Sequence, residues 1–155
     1  MDDINREILQ LLIQKGRLSH ELIGQAVNLA RPTIHKRVKQ LEDQGVIYGY
    51  HAQVDWAALG YPLTVFIWVS SRNKSDDTAA CLLKLSTSGV IIESCHGVVG
   101  EWCLLLQTHV ISPTVLKEFI DQIYTVEGVQ NTMTILSLSA YRDQCTTILP
   151  IKKAT

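Results

Sequence analysis

Between residues 15 and 41 the chain carries six cations, Lys15, Arg17, Arg31, Lys36, Arg37 and Lys39, against a single acid, Glu21. The whole chain has a formal charge of −1, so the positive charge is local rather than a general bias. The same stretch has helical spacing. Ile34, Val38 and Leu41 recur at i, i+4 and i+7, the buried stripe of an amphipathic helix. Thr33, Lys36, Lys39 and Gln40 then point away from that stripe, with His35 and Arg37 on its flanks. Upstream, Ile4, Ile8, Leu11 and Leu12 mark a first helix that Gly16 stops. Ser19 is placed to cap a second helix, with Leu22, Ile23 and Ala26 inward. Val27-Asn28-Leu29 makes the turn into the third helix, which has Pro32 in its first turn.

Residues 45–50 (Gly-Val-Ile-Tyr-Gly-Tyr) read as a strand directly after the basic helix. Two short helices, a basic third helix and a strand predict a winged helix-turn-helix over residues 1–50, with double-stranded DNA as its partner. Residues at the start of the third helix, Arg31, Thr33, His35 and Lys36, are placed for base edges. Arg and Lys donate to guanine N7 and O6, and a Thr methyl meets the thymine methyl. Arg17, Arg37 and Lys39 suit phosphates, which set register and salt-dependent affinity. Ser19 and Pro32, at the entries to the second and third helices, complete the candidate set.

The chain has 155 residues, 46% of them hydrophobic, enough for one domain or two small ones with packed cores. It opens Met1-Asp2-Asp3 with no apolar signal core behind it. The longest apolar run, Val65 to Val69, is far below the roughly 20 residues that span a bilayer. These features predict a cytoplasmic protein without a membrane partner. Cys81, Cys95, Cys103 and Cys145 are widely spaced and read as reduced thiols. His20, His35, His51, His96 and His109 show no metal-ligand spacing. No glycine loop for phosphates and no Gly-x-Ser-x-Gly is present. Neither a metal nor a cofactor is expected, and no catalytic residue is assigned.

Beyond a hinge or linker strand at 51–62, the period changes. Residues 63–71 are strand-like, 76–86 helical, 90–96 strand-like, 101–110 strand-like, 113–124 helical with Ser112 as cap, and 132–140 strand-like. Leu116, Phe119, Ile120 and Ile123 face inward on the second of these helices. Leu85 and Tyr124, at the ends of the two helices, each lie four residues before a Gly-Val pair, which suggests two βαβ-like halves and a ferredoxin-like βαββαβ sandwich over 63–142. Residues 143–155 form a C-terminal tail. The fold class is therefore α+β. On the first strand Leu63, Val65, Ile67 and Val69 alternate with Thr64, Phe66, Trp68 and Ser70. Whichever set faces the helices, the other face stays apolar, which predicts a homodimer.

The ordered motifs resemble the Lrp/AsnC, or feast/famine, family of transcription regulators. Asp3-Ile4-Asn5-Arg6-Glu7-Ile8-Leu9 resembles the family's opening Asp-x-x-Asp-x-x-Ile-Leu helix, and Gly16-Arg17-Leu18-Ser19 its turn into helix two. Residues 37–47 resemble Arg-Val-x-x-Leu-Glu-x-x-Gly-x-Ile, and Gly49-Tyr50-His51-Ala52 with Leu59-Gly60-Tyr61-Pro62 resemble the hinge. The resemblance extends to about Ser139. It implies a RAM-type second domain, an octamer or similar assembly, and an effector such as an amino acid. Val98, Val99, Gly100, Glu101, Trp102 and Cys103 resemble the family's effector-lining turn, with Gln130, Asn131 and Thr132 supplied from a neighbouring subunit. Two positions depart from the pattern: Ala30 stands where many members have a capping Ser, and Cys103 where they commonly have Asp. A neutral thiol cannot hold an effector's ammonium, so Glu101 substitutes, or the effector is not an ordinary amino acid, or there is none. Two alternatives accompany this reading: an enzyme of the same architecture similar to the siroheme decarboxylases, and a non-DNA-binding assembly partner of a related regulator.

Overall fold

The structure, a computed structural model, describes residues 1–139, so the C-terminal tail and Cys145 lie outside the described residues. It consists of two units, one ending at Gln53 and the other starting at Val54.

The first unit is three helices: α1 (Asp3–Gln14), α2 (His20–Ala26) and α3 (Arg31–Asp43). Their shared core is Ile8, Ile23, Ile34, Val38 and Leu41, each at most 2% exposed. Ser19 caps α2 by accepting from the Leu22 amide at 3.2 Å. The inward row of α2 differs from the sequence expectation. Leu22 is 52% exposed and Ala26 is exposed, while Ile23 and Val27 face the core. With only seven residues, α2 buries a single i, i+4 pair. Its other close contact is Gly24, where a Cβ would lie 2.4 Å from the Leu29 carbonyl oxygen.

That contact follows from the turn between the helices. Asn28 takes φ +54 and the Leu29 amide reaches back to the Gly24 carbonyl at 2.9 Å. This is a Schellman closure with Asn in the left-handed position. The end of α3 repeats the device. Gly45 at φ +67 lets the Val46 amide reach the Leu41 carbonyl at 2.9 Å. Residues 45–47 therefore form a turn and bend and 48–50 are irregular, in place of the expected strand. The amides of Gly45, Val46 and Ile47 are spent on closing the helix, and Ile47 packs back on the helical core.

The second unit is β1 (Leu63–Ser71), α4 (Ser75–Leu82), β2 (Val90–Gly97), β3 (Leu104–Val110), α5 (Pro113–Thr125) and β4 (Val129–Leu136). The strands form one antiparallel sheet in the order β2-β3-β1-β4, the ferredoxin-like arrangement. Val65, Ile67 and Val69 are fully buried against Leu82 of α4 and Phe119 and Ile123 of α5. Each such side chain contributes about 1.5–3 kcal/mol by leaving water. Phe66 and Trp68 therefore occupy the face away from the helices. Leu105, Gln107, Met133 and Ile135 join them there by register.

Several boundaries move from their sequence positions. α4 stops at Leu82 instead of residue 86, and β4 begins at Val129, where Arg72 already donates to the Gly128 carbonyl at 2.9 Å. β3 begins at Leu104 instead of residue 101, because Gly100 at φ +140 belongs to a turn. The linker forms no strand. Residues 56–60 coil into a turn, closed by the Tyr61 amide on the Trp56 carbonyl at 2.8 Å. Among the described residues no helix is long and apolar enough to cross a membrane.

Candidate nucleic-acid interface and effector turn

Helix α3 carries its charge as a face. Ile34, Val38 and Leu41 are turned into the core, while Arg31, Pro32, Thr33, His35, Lys36 and Lys39 are exposed. Its first turn has no acid, and Ala30 caps with backbone alone: its carbonyl accepts from the Thr33 amide at 2.9 Å and the Ile34 amide at 3.2 Å. Glu42, the first acid beyond the basic stretch, accepts from the Tyr50 hydroxyl at 2.9 Å. Arg17 is exposed on the α1–α2 connection, and exposed Ser19 keeps its hydroxyl proton free to donate while its oxygen caps α2.

Arg37 departs from its expected phosphate role. Its Nη1 donates to Asp2 Oδ2 at 2.6 Å and to Asn5 Oδ1 at 2.9 Å. Lying three residues from Ile34 and one from Val38, it borders the buried stripe and reaches α1 instead of solvent. Asp2 simultaneously caps α1, accepting from the Asn5 amide at 2.7 Å. One carboxylate thus holds the first turn of α1 against the middle of α3. The sequence signal for this pair was a capping acid ahead of α1 and a cation at the edge of the α3 stripe. A second contact not visible in the sequence pairs His20, the first residue of α2, with His35, their ring centroids 5.4 Å apart.

In the second unit the Val98 amide bonds the Cys103 carbonyl at 3.0 Å and closes the turn 98–103. Val99, Gly100 and Glu101 are exposed, Val98 and Trp102 half-buried, and a Cβ at Gly100 would meet nothing within 4 Å. Cys103 is turned inward: its amide and thiol both donate to the Val69 carbonyl, at 3.0 and 3.3 Å. A carboxylate there would oppose that carbonyl oxygen. Burial, and then the neighbouring Cys103, push the Cys95 thiol above its ordinary range.

Gln130 and Asn131 are exposed on β4. The Thr132 amide and hydroxyl both donate to the Tyr124 hydroxyl, at 3.2 and 3.1 Å. Thr132 pairs with Val69 across the sheet, so the turn and residues 130–132 lie at one end of it, on either side of β1. Cys95 packs on the core while His96, opposite Leu105, is exposed on the other face. That geometry gives no Cys-His dyad.

The Asp2 carboxyl is held below its ordinary value, first by the Arg37 guanidinium and second by the Asn5 amide. A lowered carboxyl stabilises the fold above its ordinary range, and the stabilisation is lost as pH falls through the lowered value. Asp2→Asn is therefore expected to lower the melting temperature of the first unit at pH 7. Its deficit relative to wild type should close as pH falls below about 4. A deficit of equal size from pH 7 to pH 3, followed by amide exchange in α1 and α3, would show that the ion pair is not its source.

A family model for winged helix-turn-helix DNA binding matches residues 1–48, and the Lrp/AsnC ligand binding domain matches residues 64–146. The regulator FL11 of Pyrococcus furiosus is 30% identical over 153 residues, covering 98% of this chain and 97% of its own length. The leucine-responsive regulatory protein of Rhizobium meliloti is 30% identical over 146 residues, covering 94% of each. A transcriptional regulator from Neisseria meningitidis in complex with L-methionine superposes with a TM-score of 0.81 at 28% identity, covering 98% of this chain and 97% of that one. The feast or famine regulatory protein of Mycobacterium tuberculosis, also complexed with L-methionine, gives 0.82 at 28%, covering 92% and 95%. With both domain models in order and relatives matched along nearly the whole length, this chain belongs to the Lrp/AsnC family of DNA-binding transcription regulators.

Proposed function

We propose that residues 1–50 read DNA through the exposed face of α3, that 51–62 act as the hinge, and that 63–142 assemble the protein and sense an effector. The observation that carries the DNA reading is the cationic face formed by Arg31, Thr33, His35, Lys36 and Lys39, free of acid until Glu42 and Asp43, on a helix whose opposite side is fully buried. Arg31, Thr33, His35 and Lys36 contact bases, with Pro32 leading the helix into the groove, while Arg17, Ser19 and Lys39 contact phosphates. Arg37 is better assigned to positioning α3 through Asp2. The regulator works where its DNA is, in the cytoplasm.

The sheet supports a homodimer. Phe66 and Trp68 lie on its outer face beside Met133 (39% exposed) and Ile135 (47%). A contiguous apolar face of this kind is covered in a stable assembly. The dimer presents two α3 helices to half-sites about one helical turn apart or a multiple of it, and dimers join into an octamer or similar assembly. The turn at 98–103, exposed at Val99, Gly100 and Glu101, with Gln130 and Asn131 at the same end of the sheet, is the effector site. The L-methionine complexes of two relatives make an amino acid the first ligand to test. Because the Cys103 thiol is committed to Val69, Glu101 is the group left to meet an ammonium.

Three expected outcomes test this reading. Lys36→Ala should weaken binding to the protein's own promoter DNA and relax specificity at the base pair it meets, while Lys39→Ala should reduce the slope of log K against log salt by about 0.9. Unchanged affinity and specificity in the first together with an unchanged slope in the second would remove α3 from the interface. In sedimentation, the wild type should run as a dimer or larger and Trp68→Glu as a monomer. L-methionine should shift the wild-type distribution and leave folded Gly100→Trp unmoved. A monomeric wild type sinks the sheet-face dimer, and an identical response in both proteins sinks the turn as the effector site.

A further inference from the structure

His109 is a buried titratable side chain that DNA reading and assembly leave unused. It lies on β3 and is 2% exposed. Its ladder neighbours are Thr64 and Ile91, so it belongs to the sheet face away from α4 and α5. Part of its cover is Trp56, from the strap of chain that precedes β1. The two rings stack with centroids 4.5 Å apart and planes 20° from parallel. Tyr61 stands edge-on to the same indole, and its amide closes the strap on the Trp56 carbonyl. Both imidazole nitrogens have partners: Nε2 meets Glu93 Oε2 at 2.6 Å, and Nδ1 meets Thr64 Oγ1 at 3.2 Å. Glu93 also accepts from Gln107 Nε2 at 2.6 Å. It sits where the β2–β3 register shifts, between Ile92 and Ser94.

This arrangement accommodates two protonation states. A neutral ring with its proton on Nε2 donates to Glu93 and accepts from the Thr64 hydroxyl. A protonated ring donates from both nitrogens, and the Thr64 hydroxyl rotates to accept. Every hydrogen bond survives the change, but the charge under the indole differs by one unit. A cationic ring is attracted both by the carboxylate and by the indole face. Other charged or titratable groups on the packed elements are few. Asp55, beside Trp56, is exposed and accepts from the Ala57 amide. His96 lies opposite Leu105 and meets Ser94 Oγ at 3.0 Å. None of the four strands, nor residues 54–62, carries a Lys or Arg that would compete for Glu93.

We propose that Trp56, His109 and Glu93 form a proton-controlled latch: the strap 54–61 is held on the sheet while His109 is protonated and loosens when that proton is lost. The strap is the stretch of chain that joins residues 1–53 to the sheet unit, so the latch sets how much tether is free. Free tether length in turn limits which half-site spacings two tethered DNA-binding units can span. That last consequence rests on the dimer proposed above; the latch itself does not.

The full-length chain has three tryptophans, Trp56, Trp68 and Trp102, so the signal of Trp56 is the difference in emission between wild type and Trp56→Phe. A protonated imidazole quenches a stacked indole. The difference signal is therefore expected to rise with pH as protection of the Tyr61 amide falls. His109→Gln should abolish the change of signal with pH, and Glu93→Gln should move its midpoint to lower pH. A difference signal that does not titrate, or a titration that survives His109→Gln, overturns the latch. Should His109→Gln fail to fold, Glu93→Gln changes charge without shape, and an unmoved midpoint in that variant overturns it equally.

Discussion

Strand β1 is apolar on both faces, and the rest of the molecule is arranged around that fact. As an inner strand it is hydrogen-bonded to β3 on one side and β4 on the other, so neither face can be relieved by twisting the strand out of the sheet. Two helices are enough to cover Val65, Ile67 and Val69. They cannot also cover Phe66 and Trp68, which alternation places on the opposite surface. Among the described residues of the sheet unit, α4 and α5 form one layer of helices for a sheet with two apolar faces. In the proposed dimer a second copy supplies the missing layer, and with it the second α3 helix that one short motif needs to define a site.

The same division between buried stripe and free face governs α3. Its core residues consume one side, and the free side from Arg31 to Gln40 carries cations with no acid before Glu42 and Asp43 in the last turn. Arg37 shows how sharply the boundary is drawn. One position off the stripe, it is recruited by Asp2 and Asn5 and holds the helix instead of facing the groove. Lys36 and Lys39, farther round the same helix, are exposed and have no such anchor.

Much of this was legible in the amino-acid order because it depends on period. The stripe Ile34, Val38, Leu41, the caps at Ser19 and Ser112, and the inward row of α5 are local patterns with one physical solution. Which face of β1 met the helices was open, since both of its alternating sets are apolar and only the packing of Phe119 and Ile123 decides it. The strand expected at 45–50 failed for a different reason. Its β-forming residues follow a glycine in the left-handed conformation, and the helix closure used the Val46 and Ile47 amides first. Leu22 was misassigned because a seven-residue helix has too few turns for periodicity to fix its phase. Contacts between distant residues left the weakest traces. Asp2 with Arg37, and Trp56 with His109 and Glu93, are each made of residues with an unremarkable local setting. Cys103 was noticed as a departure, but its commitment to the Val69 carbonyl is a property of the folded turn.

Reading of the major groove by paired α3 helices is tested most directly by footprinting of genomic fragments selected by the protein, with cleavage resolved to single nucleotides. The expected pattern is pairs of protected major-groove segments centred about 10 base pairs apart or a multiple of that, lost when Lys36 and Lys39 are both replaced by Ala. Protection confined to isolated single segments, or a paired pattern that persists in the double variant, would contradict it.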